Sequence, residues 1–190
     1  DEEYLFFGRE SQIDRIVDKL AVSRFLAVVG TSGSGKSSLV NCGLRPALRR
    51  GLMPAAGTSW RFAQFRPGGH PLDAMAQALA GNDVLFPPRS EGGMSLADLI
   101  GATLRMSNLG LADLYEQARL PARTNLLVIV DQFEELFRFQ SATGPAGSTP
   151  FGASEEATTF VNLLLAAQNQ TTLPIYVVLG RAAVEERRQE

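Results

Sequence analysis

The stretch "FLAVVGTSGSGKSSLV", residues 25–40, decides how this chain is read. It begins with an unbroken apolar run, the pattern of a strand buried on both faces. Small residues follow from Gly30 to Gly35, then Lys36, Ser37 and Ser38, and then apolar residues again. Of 18 basic residues only Lys19 and Lys36 are lysine. A lysine set among glycines in a chain that prefers arginine asks for a reason.

The segment "GTSGSGKS" (30–37) fits the pattern G-x-x-x-x-G-K-[ST] between a strand and a helix. Gly30, Gly33 and Gly35 let the backbone turn tightly and aim its N–H groups inward. Those amides, with the unpaired donors of the following helix, make a concave anion site. Lys36 carries a compact cation to β- and γ-phosphates, a place where arginine's planar fork fits less well. Ser37 offers its hydroxyl to Mg²⁺, and Thr31, Ser32, Ser34 and Ser38 complete the nucleotide-binding set. The competing reading is a solvated Gly/Ser turn that matches by accident. The strand before it and the helix after it weigh against that.

A phosphate cradle with Mg²⁺ needs an acid at the end of a neighbouring strand. "LLVIVDQFEELF" (126–137) supplies Asp131 directly after the most apolar run in the chain. Glu134 and Glu135 follow; if the chain turns helical after Asp131, both face roughly its side, and one activates the attacking water. The other is then a solvated or ion-paired carboxylate. Arg181 closes the run "PIYVVLG" (174–180) and faces the same crevice, a candidate γ-phosphate sensor or else a surface arginine. His70, alone in a "GGHP" turn, reads as structural, and no transition-metal site is expected.

Composition bounds the answer. The chain has 190 residues, 45% of them hydrophobic and 20% charged, which fits one globular domain spanning 1–190. A net charge of −2 argues against a general nucleic-acid or membrane binder. There is no bilayer-length apolar run and no signal pattern, and the one cysteine, Cys42, fits a reducing cytoplasm. The absence of an initial methionine and the ending "EERRQE" read as a piece of a larger multidomain protein.

Outward from the glycine loop, periodicity predicts helices at 10–21, from Lys36 with Pro46 disturbing or ending it, and at 71–80, 95–106, 111–120 and 155–168. Strands are predicted at 24–29, 60–65, 126–130 and 174–180. The Gly/Pro-rich stretch 141–154 reads as a mobile loop. Continuous apolar strands alternating with helices imply a three-layer α/β/α P-loop fold around a mainly parallel sheet.

The order "LFFGRESQIDRIVDKL", "FLAVVGTSGSGKSSLV", "WRFAQFRPGGHPLDAMAQAL", "LLVIVDQFEELF" and "PIYVVLGR" resembles the STAND-class signal-transduction ATPases. It is most similar to the bacterial type often linked to β-propeller repeats. The resemblance implies an ATP/ADP- and Mg²⁺-dependent switch that hydrolyses slowly and self-associates in the ATP state, with effector and sensor domains in the same chain. It implies that Phe7, Gly8 and Arg9 lie near the adenine, the 30–37 loop on the phosphates, Asp131 on Mg²⁺ and Glu134 or Glu135 on the water. Leu179 and Gly180 stand where the family usually has a threonine before the arginine. The alternatives are a nucleotide-binding scaffold without significant hydrolysis and a P-loop kinase.

Overall fold

A computed structural model of the chain describes residues 8–87, 93–137 and 151–183, the side chains of 151–154 excepted. Phe7 and positions 141–150 of the expected loop lie outside these residues. In chain order the elements are α1 (Glu10–Ser23), β1 (Phe25–Gly30), α2 (Lys36–Ser38), a π-helical segment (Leu39–Leu44) and α3 (Arg45–Arg49). Then come β2 (Trp60–Phe65), α4 (Pro71–Leu79), α5 (Leu96–Met106), α6 (Gly110–Gln117), β3 (Asn125–Val130), α7 (Phe151–Asn169) and β4 (Ile175–Ala182).

The four strands form one sheet in the order β1-β4-β3-β2, and every pairing is parallel. Parallel strands need a crossover between them, and the helices that make the crossovers cover both faces. Strand alternation divides the core accordingly. Leu126, Val128, Val130, Ile175, Val177 and Leu179 point into one cluster with Leu72, Met75, Leu104, Leu111 and Phe160 of α4–α7. Leu127, Ile129, Tyr176 and Val178 point to the other face, against Ile13, Val17 and Leu20 of α1 and Leu39, Val40 and Leu44 of the π segment. The fold is three-layer α/β, with the glycine loop leaving β1 and entering α2.

Several boundaries shift from the sequence expectation by a residue or two, and four places have a physical reason that can be named. The helix after Lys36 does not run as plain α-helix into Pro46. Pro46 has no N–H and its ring crowds the carbonyl a turn earlier, and the turn before it widens to π, with Arg45 N–H donating to Val40 O. The helix expected over 111–120 stops at Gln117, because Arg119 takes a positive φ of 45° and Pro121 follows. The helix expected from 155 starts at Phe151, inside the stretch read as loop; nothing in "FGAS" forbids a helix, and small residues misled by composition alone. β4 continues past Gly180 to Ala182, because β1 stays paired with it through Gly30↔Ala182 and Ala183 N–H still donates to Gly30 O at 2.9 Å. Arg181 therefore lies in the strand rather than beyond it.

Candidate functional site

The ends of β1, β3 and β4 converge on a cleft of about 310 Å³ at the C-terminal edge of the sheet. That edge is where open parallel sheets place ligands. Ser32, Gly33, Gly35, Lys36, Ser37 and Ser38 line one side, and Asp131, Gln132, Glu134 and Ala182 line the other.

The loop is shaped as its glycines require, with one difference. Gly33 and Gly35 have φ of 76° and 78°, a region that side chains strain to occupy. Gly30 has no positive φ; a Cβ there would lie 2.8 Å from Ser34 Oγ, which would have to turn aside, and 3.7 Å from Lys36 Cδ. Lys36 Nζ donates to the carbonyls of Gly30 (2.9 Å) and Thr31 (2.8 Å), which holds the ammonium at the mouth of the loop. Ser34 N–H donates to Thr31 O at 3.2 Å, closing the turn. The first-turn amides of α2 have no carbonyl a turn earlier to bond and are left as donors at the start of the helix.

Across from the loop, Asp131 follows β3 and is buried. Its Oδ2 accepts from Ser37 Oγ at 2.8 Å, and its Oδ1 accepts from the Gln132 amide at 3.0 Å. Space for it comes from β4: a Cβ on Gly180 would lie 3.2 Å from Asp131 Oδ1. Gly180 is one of the two residues, with Leu179, that stand where the resembled family usually has a threonine, and it packs closely beside Asp131.

The chain does not become helical directly after Asp131. Gln132 has φ of 54°, and Glu135 N–H bonds Gln132 O at 2.9 Å in a tight turn. Asp131 and the two glutamates therefore do not share a helix face. Glu134 lines the cleft, with Oε2 accepting from the Ala182 amide at 2.9 Å. Glu135 is half-buried and does not line it. Arg181 is exposed, paired in register with Val29, and also lies outside the lining. Gly8 stands apart from the cleft, its amide donating to the Glu10 carboxylate (3.1 and 3.2 Å), while Arg9 Nη1 donates to Ser34 O at 3.0 Å.

Sequence reasoning missed Ala182, whose contribution is a backbone amide, and Gln132, whose left-handed turn has no residue signature. It also missed the reach of Arg9 onto the loop, since 25 residues separate Arg9 from Ser34.

Away from the cleft, His70, Asp73 and Glu156 come together among the described residues. Arg105 already pairs with Asp73 at 2.7 Å and Glu156 at 3.5 Å, and the Leu72 amide donates to Glu156 at 3.3 Å. With a guanidinium on both carboxylates, the group is an ion-pair network joining α4, α5 and α7.

The family model described as Novel STAND NTPase 1 matches residues 1–185. The chain belongs to this STAND NTPase family. This STAND chain is therefore a nucleotide-binding NTPase domain, and the glycine loop, Asp131 and Glu134 stand together in its cleft. No curated protein matches it. Among solved structures it is similar to the pCW3 conjugation coupling protein TcpA, in monomer form with ATPγS. That likeness has 14% identity and a TM-score of 0.37, over 85% of this chain and 43% of the other. The STAND chain thus spans less than half of that protein, and a likeness this low carries no weight for function. Among the described residues, no helix is long and apolar enough to cross a membrane.

Proposed function

We propose that this STAND domain binds Mg-ATP and hydrolyses it slowly as a regulatory switch, with the nucleotide governing self-association of a larger protein. The supporting observation is the contact between Ser37 Oγ and Asp131 Oδ2 at 2.8 Å, with the Glu134 carboxylate lining the same cleft. A hydroxyl and a carboxylate oxygen side by side are the hard donors that Mg²⁺ prefers. The ion, when bound, neutralises charge on the phosphates. Every other role falls to the chain itself. Loop amides and Lys36 hold and orient the phosphates. Asp131 and Ser37 hold the ion. Glu134 takes a proton from the attacking water, and Arg181, exposed on β4 outside the lining, is the candidate cation for the γ-phosphate. Gly8, with Phe7 before it, serves the adenine side.

Glu134 is preferred to Glu135 because only Glu134 lines the cleft. Its bond from Ala182 N–H also holds the carboxylate in a defined place. Glu134→Gln keeps an acceptor for that amide and removes only the basicity. Phosphate release should fall by roughly 10²-fold or more while Mg-ATP binding survives. Wild-type hydrolysis by the Gln variant would remove Glu134 from the mechanism. A wild-type domain that binds Mg-ATP but releases no phosphate would make it a nucleotide-binding scaffold.

A further inference from the structure

We infer that Arg9 is a positioning residue for the phosphate loop, acting on its backbone from the start of α1. The inference rests on the phosphate-binding reading of the cleft and deepens it. Arg9 Nη1 donates to Ser34 O at 3.0 Å. A Cβ on Gly35 would lie 3.3 Å from Nη1 and 3.7 Å from both Cζ and Nη2, so the guanidinium lies across the Gly35 backbone. Ser34 O and Gly35 N–H belong to one peptide unit, and in a planar trans peptide they point in opposite directions. Holding the carbonyl toward Arg9 therefore turns the Gly35 N–H to the opposite side. Gly35 lines the cleft and is the residue from which α2 starts, with φ of 78°. A glycine in that region has a flexible peptide on either side, so an external clamp fixes what the glycine alone leaves free.

The clamp itself is well anchored. Arg9 is the N-cap residue of α1, and its carbonyl accepts from Gln12 and Ile13 N–H at 3.0 and 3.1 Å. One residue before it, the Gly8 amide is tied to the Glu10 carboxylate. One turn on, Ile13 is buried with Leu39 and Val40 of the π segment. The loop is thus held from β1, from the helix it enters, and from α1. Such a role concerns phosphate and not base, which separates it from the adenine-side role that the family resemblance implies for Arg9.

The test measures Mg²⁺-dependent binding of ATP, GTP and tripolyphosphate to the wild type, Arg9→Met, Arg9→Lys and Lys36→Ala. Arg9→Met should weaken all three ligands by the same factor, about tenfold to a hundredfold, the scale of one hydrogen bond to a charged group. Arg9→Lys should recover part of that loss, because one ammonium donor can reach the carbonyl but cannot lie flat over Gly35. A loss confined to the two nucleotides would overturn the inference and assign Arg9 to the base. Wild-type binding of all three by Arg9→Met would overturn it as well. If Arg9→Met does not fold, Arg9→Lys decides by the same criterion: an equal loss on all three ligands supports the clamp, and a base-selective loss or none overturns it. Failure of the underlying phosphate reading looks different, because Lys36→Ala would then bind like the wild type.

Discussion

At the scale of single residues, Asp131 shows how much one side chain depends on its surroundings. It is buried, yet both oxygens are engaged, one by the Ser37 hydroxyl and one by the Gln132 amide. Gly180 leaves the room in which it sits. An asparagine at 131 can still accept from Gln132 and meet Ser37, so the fold should tolerate Asp131→Asn. What the variant lacks is the charge that would face the proposed Mg²⁺. We predict that it loses the Mg²⁺ dependence of nucleotide binding, whereas Glu134→Gln keeps it and loses turnover. Titrating ATP with and without Mg²⁺ against both variants checks this. The same Mg²⁺ dependence in wild type and Asp131→Asn would detach Asp131 from the ion.

At the scale of elements, α5 and α6 meet more closely than any helix propensity would indicate. A Cβ on Gly110 would lie 2.6 Å from Thr103 O and 2.9 Å from Leu104 Cα, both backbone atoms that cannot turn aside. Alanine is the better helix former, worth roughly 0.5–1 kcal/mol over glycine. The overpacking opposes this and costs about 1–3 kcal/mol. The steric term wins, so Gly110→Ala should lower the urea midpoint. An unchanged or higher midpoint would mean that α6 can slide at little cost.

The elements also show what a sequence discloses. β1, β3 and β4 were legible as apolar runs between turn residues, and β2, broken by Arg61 and Gln64, as a short aromatic-rich run; the parallel layering followed from strands alternating with helices. The loop and Asp131 were legible because their chemistry restricts residue type at fixed spacing. Contacts made by backbone atoms were not. The Ala182 amide on Glu134, the left-handed Gln132 and the Ser34 carbonyl under Arg9 leave no mark in residue identity. The π turn before Pro46 was half legible: proline announces a disturbance but not whether the helix breaks or widens. Phe151–Ser154 were misread because small residues suit both loops and helices.

At the scale of the whole molecule, three strand ends bring together groups from positions 32 to 182. The helices on either face hold that convergence rigid, since each strand of the central pair β3 and β4 is buried among both core clusters. β1 lies at the edge of the sheet among the described residues, and its Val29 is 60% exposed. Under the switch reading, ATP should promote assembly of the longer protein and ADP should not. Sedimentation of that protein in Mg-ATP and in Mg-ADP should show larger species only in the former. Equal sedimentation in both would leave a nucleotide site without a switch.

We propose that the cleft at the end of β1 binds nucleotide phosphates through Lys36. Calorimetry of Mg-ATP binding to the wild type and to Lys36→Ala tests it most directly. Lys36 is the cation of the glycine loop, and its ammonium is held at the loop mouth by the Gly30 and Thr31 carbonyls. Its loss leaves phosphate charge unmatched in a partly enclosed site, at a cost on the order of 2–4 kcal/mol. We expect one-to-one binding by the wild type and a loss of that size in the variant. Equal affinity for the two proteins would contradict it.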